Sequence, residues 1–145
     1  GGVVFAGAIN KDPGLFRSVI LDVPFVDVLG AMLDTNQTLT VREREEWGDP
    51  SDKDDFDAIL RYSPYENITN GLYPSVLVRA GYLDNFVSIW ETAKWVSKLR
   101  AESRNPDQIY LFIRMDAGHF GASQGFEEIR DRALMYSFLI SQVQY

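Results

Sequence analysis

Ser75-Val76-Leu77-Val78-Arg79-Ala80, with Pro74 at its mouth and Gly81-Tyr82-Leu83-Asp84-Asn85 leaving its far end, decides the fold of this 145-residue chain. A short apolar run bounded by turn formers is the mark of a strand covered on both faces. Two similar runs flank it. Residues 16–22 centre on Val19-Ile20-Leu21, and residues 109–114 read Ile-Tyr-Leu-Phe-Ile-Arg. Between the second and third runs, residues 87–102 place Ile89, Ala93, Val96 and Leu99 at helical spacing, and Asn105-Pro106-Asp107 closes that helix.

Further out, residues 3–9 are apolar on all sides and predict a buried helix, ended by Asn10-Lys11-Asp12-Pro13-Gly14. Residues 24–33 predict a turn into a short helix. Residues 34–50 are polar and charged without sustained periodicity, so they read as loop with short helical pieces. Residues 52–62 predict a helix with an acidic first turn at Asp54, Asp55 and Asp57, stopped by Ser63-Pro64. A long helix is expected over 123–143, its inward stripe being Phe126, Ile129, Ala133, Tyr136, Ile140 and Val143. Strands alternating with helices mean parallel strands joined by crossover helices, so the class is α/β and the organisation one domain. In open parallel sheets ligands bind outside the carboxyl ends of the strands, which directs attention to the loops starting near Asp22, Gly81 and Met115.

Composition narrows the partners. With 14 Lys and Arg against 21 Asp and Glu, the formal charge of −7 argues against nucleic acid or an anionic membrane surface and favours a cationic ligand. The absence of cysteine excludes disulfides and thiolate chemistry, and one histidine excludes a multi-His metal site, so no metal or cofactor is expected. A carboxylate-only metal site is the one form left open. No apolar run is long enough to span a bilayer, and the expected compartment is the cytoplasm. The triplets Asn36-Gln37-Thr38 and Asn67-Ile68-Thr69 fit the glycosylation pattern, but such triplets arise by chance and nothing else signals secretion.

Asp84 lies just past the second strand and His119 just past the third, so the sheet delivers a carboxylate and an imidazole to adjacent loops on one edge. A carboxylate accepting from Nδ1 fixes the imidazole tautomer and leaves Nε2 free to take a proton. The nucleophile that would complete such a pair is missing. In α/β-hydrolases the chain order is Ser, Asp or Glu, His, the serine standing on a Gly-Xaa-Ser-Xaa-Gly elbow. Gly1-Gly2 ahead of an apolar helix resembles the downstream half of that elbow. Read on its own, His119 is equally a loop residue, and Leu83-Asp84-Asn85 is ordinary turn composition.

Several blocks then carry a resemblance: Val23-Pro24-Phe25-Val26-Asp27-Val28, Glu45-Glu46-Trp47-Gly48-Asp49-Pro50, Tyr62-Ser63-Pro64-Tyr65-Glu66-Asn67, Trp90-Glu91-Thr92-Ala93-Lys94-Trp95-Val96 and Met115-Asp116-Ala117-Gly118-His119. Collinear from Gly1 to about Ile140, they resemble the catalytic domain of the prolyl oligopeptidase family, most of all its oligopeptidase B branch. The resemblance implies the carboxyl-terminal part of an α/β-hydrolase domain of a serine peptidase. Its partners would be short peptides and the N-terminal remainder of the same protein, including a β-propeller that limits access. It maps Asp84 onto the triad acid, His119 onto the triad base, and Gly1 and Gly2 onto the end of the elbow. The serine then falls two positions upstream of Gly1, and the chain alone should be inactive.

Oligopeptidase B-like enzymes cleave after Arg or Lys (the P1 residue), and the resemblance places the carboxylate pair for that cation at Glu43 and Glu45. Two acids separated by one residue share a side only if the segment is extended. In a helix they diverge by about 200°. Rival readings are a solvated charge run from Arg42 to Glu46, a relative of prolyl or broad specificity, and a non-catalytic relative that kept the fold. The sequence departs from the family pattern at Phe120, where glycine is usual, at Leu83, and in the apolar segment Phe86-Val87-Ser88. Trp47, Trp90 and Trp95 read as core or interface aromatics, and Asp116 as a brace for the histidine loop.

Overall fold

Every residue of β2 (Ser75–Gly81) is buried, as a strand sandwiched between two others and covered by helices must be. The computed structural model describes residues 1–36, 40–121 and 125–143. β2 is flanked by β1 (Ser18–Asp22) and β3 (Ile109–Arg114), and all three are parallel in the order β1-β2-β3. In register, Asp22 stands beside Arg79, and Gly81 beside Arg114. The carboxyl ends of the strands therefore line up on one edge.

The connections are helical: α1 (Gly2–Lys11) leads into β1; α2 (Val28–Leu33), α3 (Thr40–Trp47) and α4 (Lys53–Tyr62) lie between β1 and β2; α5 (Ile89–Glu102) joins β2 to β3; and α6 (Gly125–Val143) follows. Among the described residues, side chains cap two of them. Asp52 accepts from the amides of Asp54 and Asp55 at the start of α4, and Ser88 accepts from the Trp90 amide at the start of α5. One core lies between the sheet and helices α1 and α5, holding Ala6, Ile9, Val76, Val78, Trp95 and Leu99. A smaller cluster of Val28, Leu29, Met32 and Ile59 joins α2 to α4.

Two expectations are corrected. α1 is buried along one face only, through Ala6, Ile9 and Asn10, while Val4 and Phe5 are exposed. Of the tryptophans read as core or interface, Trp95 is fully buried and Trp90 lies at the surface of this chain. The larger change concerns α6. Phe126, Ile129, Ala133, Tyr136, Ile140 and Val143 all face away from the sheet. The inward face runs instead through Asp131, Met135, Phe138 and Gln142: Asp131 and Met135 meet Arg79, Phe138 packs edge-on to Tyr110 at 5.9 Å, and the Gln142 carbonyl accepts from Arg17. Periodicity identified a helix there, but charge pairing chose its inward face. The expected start of that helix at Ser123 lies outside the described residues, as do Gln37 and Thr38 of the first glycosylation triplet. Asn67 of the second triplet spends its side-chain amide on the carbonyls of Leu60 and Ser63.

Candidate active site

The loops leaving β2 and β3 are zipped together by their backbones. The Tyr82 amide donates to the Arg114 carbonyl at 2.8 Å and the Leu83 amide to the Ala117 carbonyl at 3.0 Å. Gly81 permits this approach, since a Cβ there would sit 2.6 Å from the carbonyl oxygens of both Ala117 and Gly118. The result brings Asp84 and His119 together across 35 positions of sequence: His119 Nδ1 lies 2.9 Å from Asp84 Oδ2. The Asp84 side chain is 1% exposed and that of His119 is 29% exposed. Asp84 Oδ1 accepts from the amides of Phe86 and Val87 at 2.8 and 2.9 Å, which locks the carboxylate plane. With Nδ1 donating to this carboxylate, Nε2 is the basic nitrogen.

Aromatic rings close round the imidazole. Phe86 stands 5.2 Å from the His119 ring and Phe120 stands 5.4 Å away, perpendicular to it. Phe86 and Phe120 themselves pack edge-on at 5.9 Å. His119 lines two cavities. The first, of about 280 Å³, is walled by Phe25, Met32, Glu43, Glu46, Trp47 and Phe86. The second, of about 340 Å³, is bounded by Phe120, Gly121, Arg79, Asp131, Arg132 and Met135.

Glu43 and Glu45 do not form a pair. The extended segment their pairing required is the helix α3, so Glu45 points elsewhere and is exposed. Glu43 and Glu46, one helical turn apart, share the first cavity with His119. Glu46 was missed because an extended reading puts positions 43 and 46 on opposite sides; the i, i+3 spacing of Glu43 and Glu46 was the available signal, and Trp47, read as a core or interface aromatic, lines the same cavity. Gly2 is pressed against the loop leaving β1, where a Cβ would lie 2.6 Å from Pro24. That contact sets the start of α1 beside Phe25, a wall of the same cavity. Gly1 is exposed.

Behind the histidine, Arg114 braces the loop and α6 together, reaching Glu127 at 2.8 Å, Asp131 at 3.3 Å and Asp116 at 3.2 Å. Burial raises the Asp22 carboxyl above its ordinary value, against the pull of Arg79. Among the described residues no cluster of three or more His, Asp or Glu side chains could hold a metal ion, and no helix is long and apolar enough to cross a membrane.

The whole of this framework has known counterparts. Residues 1–144 match the prolyl oligopeptidase family (Peptidase_S9). The chain belongs to that family. It is 38% identical over 143 residues to the dipeptidyl aminopeptidase BI of Pseudoxanthomonas mexicana, covering 99% of this chain and 20% of that protein. It is 37% identical over 143 residues to protease 2 of Moraxella lacunata, covering 99% and 21%. Among solved structures, oligopeptidase B from Leishmania major superposes with a TM-score of 0.94 at 38% identity, covering 97% of this chain and 20% of that one. Oligopeptidase B from Trypanosoma brucei with covalently bound antipain gives a TM-score of 0.94 at 36% identity, with the same coverage. The chain thus spans about a fifth of the length of the relatives it matches, and its three strands and flanking helices match the α/β-hydrolase fold.

Proposed function

We propose that this chain is the carboxyl-terminal part of the catalytic domain of a serine oligopeptidase that hydrolyses short peptides after Arg or Lys. The observation that carries this reading is the Asp84–His119 hydrogen bond at the mouth of a cavity containing Glu43 and Glu46. A serine contributed by residues before Gly1, in the N-terminal remainder of the protein, attacks the scissile carbonyl. His119 Nε2 takes the hydroxyl proton, and Asp84 orients the ring and stabilises the imidazolium as it forms. The hydroxyl oxygen bonds the carbonyl carbon, the C–N bond breaks, and the same proton passes to the departing amine. Water then hydrolyses the acyl-enzyme by the reverse relay.

The P1 cation enters the cavity beside α3, where Glu43 meets the guanidinium or ammonium group with a charge-assisted hydrogen bond. Trp47 and Phe25 line the aliphatic stem. They lie edge to face at 5.5 Å, a rigid apolar wall. The overall charge of −7 favours encounter with cationic peptides. A cytosolic location suits a peptidase of short intracellular peptides and belongs to the same proposal.

Matched Arg, Lys and Pro reporter peptides offered to the full-length protein test this. Preferred hydrolysis after Arg and Lys, abolished by His119→Ala, is expected; equal rates on all three reporters would dismiss the acidic pocket. A residue other than serine two positions before Gly1 would dismiss the peptidase.

A further inference from the structure

A single carboxylate ties together the supports of both ends of the histidine loop. Asp131, on α6, divides its two oxygens between neighbouring strands: Oδ2 accepts from Arg79 of β2 at 2.9 Å and Oδ1 from Arg114 of β3 at 3.3 Å. The Asp131 side chain is 5% exposed, that of Arg79 9% and that of Arg114 13%. These contacts are therefore made within the chain itself, and little of the three groups is left for any further segment to reach.

Each arginine supports one end of the loop that carries His119. At its start, Arg114 closes β3, faces Asp116 across 3.2 Å and lends its carbonyl to the Tyr82 amide. At its end, the Gly121 amide donates to the Gly118 carbonyl at 3.2 Å, closing a turn with His119 and Phe120 at its centre. A Cβ on Gly121 would lie 3.9 Å from Arg79 Nη2, an ordinary contact distance, so the guanidinium packs against the turn. Arg79, Arg114, Gly118 and Gly121 line one gap of only about 10 Å³. In a junction packed that closely, a displaced guanidinium shifts the turn instead of being absorbed by empty space.

We propose that Asp131 is a positioning residue for His119, fixing through Arg79 and Arg114 the two ends of the loop that presents the imidazole. This deepens the peptidase reading and rests on it. Asp22 also holds Arg79, at 3.3 Å, and Glu127 also holds Arg114, at 2.8 Å, but each serves one of the two arginines. Among the described residues Asp131 alone joins them. The chemistry is sensitive to this placement, because Nε2 must reach the attacking hydroxyl as a base and then the leaving amine as an acid.

Asp131→Asn, close to isosteric, separates the two ends: its one oxygen satisfies one arginine, and its NH2 faces the other, donor against donor. The test compares kcat/KM of the full-length protein on two Arg reporters with the same acyl part, a peptide amide and a p-nitrophenyl ester. Both need His119 as a base. Only the amide needs it as an acid as well, since nitrophenolate departs without a proton. The amide-to-ester ratio thus reports the placement of the imidazole and is independent of the fraction of active enzyme. In Asp131→Asn, kcat on the amide should fall about 100-fold with KM within about twofold, the scale of loss from a small misplacement. The ratio should fall about tenfold, because the acid step is lost in addition to the base step. Arg79→Lys keeps a cation beside Asp131 but not the planar fork against Gly121, and it should lower the ratio in the same direction; it decides alone if Asp131→Asn does not fold. Leu99→Ala, in the core near the far end of α5, should lower the melting temperature and leave the ratio at the wild-type value. A wild-type ratio in Asp131→Asn or in Arg79→Lys, or an equal fall in Leu99→Ala, overturns the positioning role while leaving cleavage after Arg intact. A wild type that cleaves neither reporter overturns the peptidase reading itself, and the positioning role with it.

Discussion

Arg79 Nη2 lies 2.9 Å from Asp131 Oδ2, and both side chains are under a tenth exposed, so a buried ion pair fastens α6 to the central strand. Breaking such a pair strands a charge in a site that water cannot easily reach. Among the described residues, Asp131→Ala leaves Arg79 with one carboxylate, Asp22 at the longer distance of 3.3 Å, beside the uncharged Met135 sulfur. A loss of about 3–5 kcal/mol is expected. Asp116→Ala, which removes a carboxylate with a 73% exposed side chain from Arg114, should cost no more than about 1 kcal/mol. Thermal unfolding of the two full-length variants side by side checks the contrast, and equal shifts would refute it.

Glu91 supplies a pH dependence of stability. It is buried in the first turn of α5, and no described group hydrogen-bonds either of its carboxyl oxygens. Burial, then the nearby Asp27 carboxylate, push its pKa from 4.5 up to about 8; the Ser88 amide opposes that rise without closing a hydrogen bond. Between those values the folded chain holds a proton that the unfolded chain has released. Stability is therefore fully present below the window and falls as pH rises through it, by up to about 1.4 kcal/mol per pH unit. Glu91→Gln should unfold like the wild type near the acid end of that window and at a higher temperature than the wild type above it. A pH-independent difference between the two would show that Glu91 is already ionised.

Much of this architecture is legible in the residues alone, for identifiable reasons. Each of the three strands centres on a run of three or more apolar residues closed by turn chemistry, and burial on both faces leaves the central one, β2, few other ways to fold. Asp84 and His119 were legible because a parallel sheet places successive strand ends on one edge. The helical course of 40–47 was hard to read because that charged stretch has no apolar period, and the i, i+3 spacing of Glu43 and Glu46 was the one hint of the helix that tertiary packing selects. Thr40, buried at the start of that helix, hydrogen-bonds the Ala31 carbonyl, a long-range contact that local pattern does not announce. The inward face of α6 was misread for a related reason. Apolar periodicity marks a helix, but here Asp131 pairs with arginines from two different strands, which only the assembled sheet reveals.

The helical course of α3 makes a three-way comparison decisive for the basic pocket. Glu43→Gln should raise KM for Arg and Lys reporters by about tenfold or more, because a charge-assisted contact with the cation is lost. Glu46→Gln, on the same helical face, should act in the same direction. Glu45→Gln, exposed on another face, should leave KM within about twofold, as distant surface changes do. Steady-state kinetics of the three full-length variants on one Arg reporter measure this, and comparable effects in Glu43→Gln and Glu45→Gln with none in Glu46→Gln would restore the extended pairing.

The two oxygens of Asp84 have separate duties, which makes Asp84→Asn a sharp probe of the histidine tautomer. Oδ1 accepts two backbone amides, from Phe86 and Val87, and only an oxygen can occupy that position. The asparagine amide must therefore turn its NH2 toward His119 Nδ1, where the carboxylate oxygen stood at 2.9 Å. Two donors cannot face each other, so Nδ1 becomes the acceptor and the ring proton moves to Nε2. An imidazole protonated there cannot take a proton from the attacking hydroxyl. For the full-length protein kcat should fall by about 10⁴-fold, with KM for Arg reporters little changed. The loop should stay in place, because both backbone hydrogen bonds survive, and the melting temperature should move far less than in Gly81→Ala, whose new Cβ would meet carbonyl oxygens at 2.6 Å. Retention of most of the activity in Asp84→Asn would mean that the Nδ1 contact does not set the basic nitrogen, and the acid–base assignment of the pair would have to be abandoned.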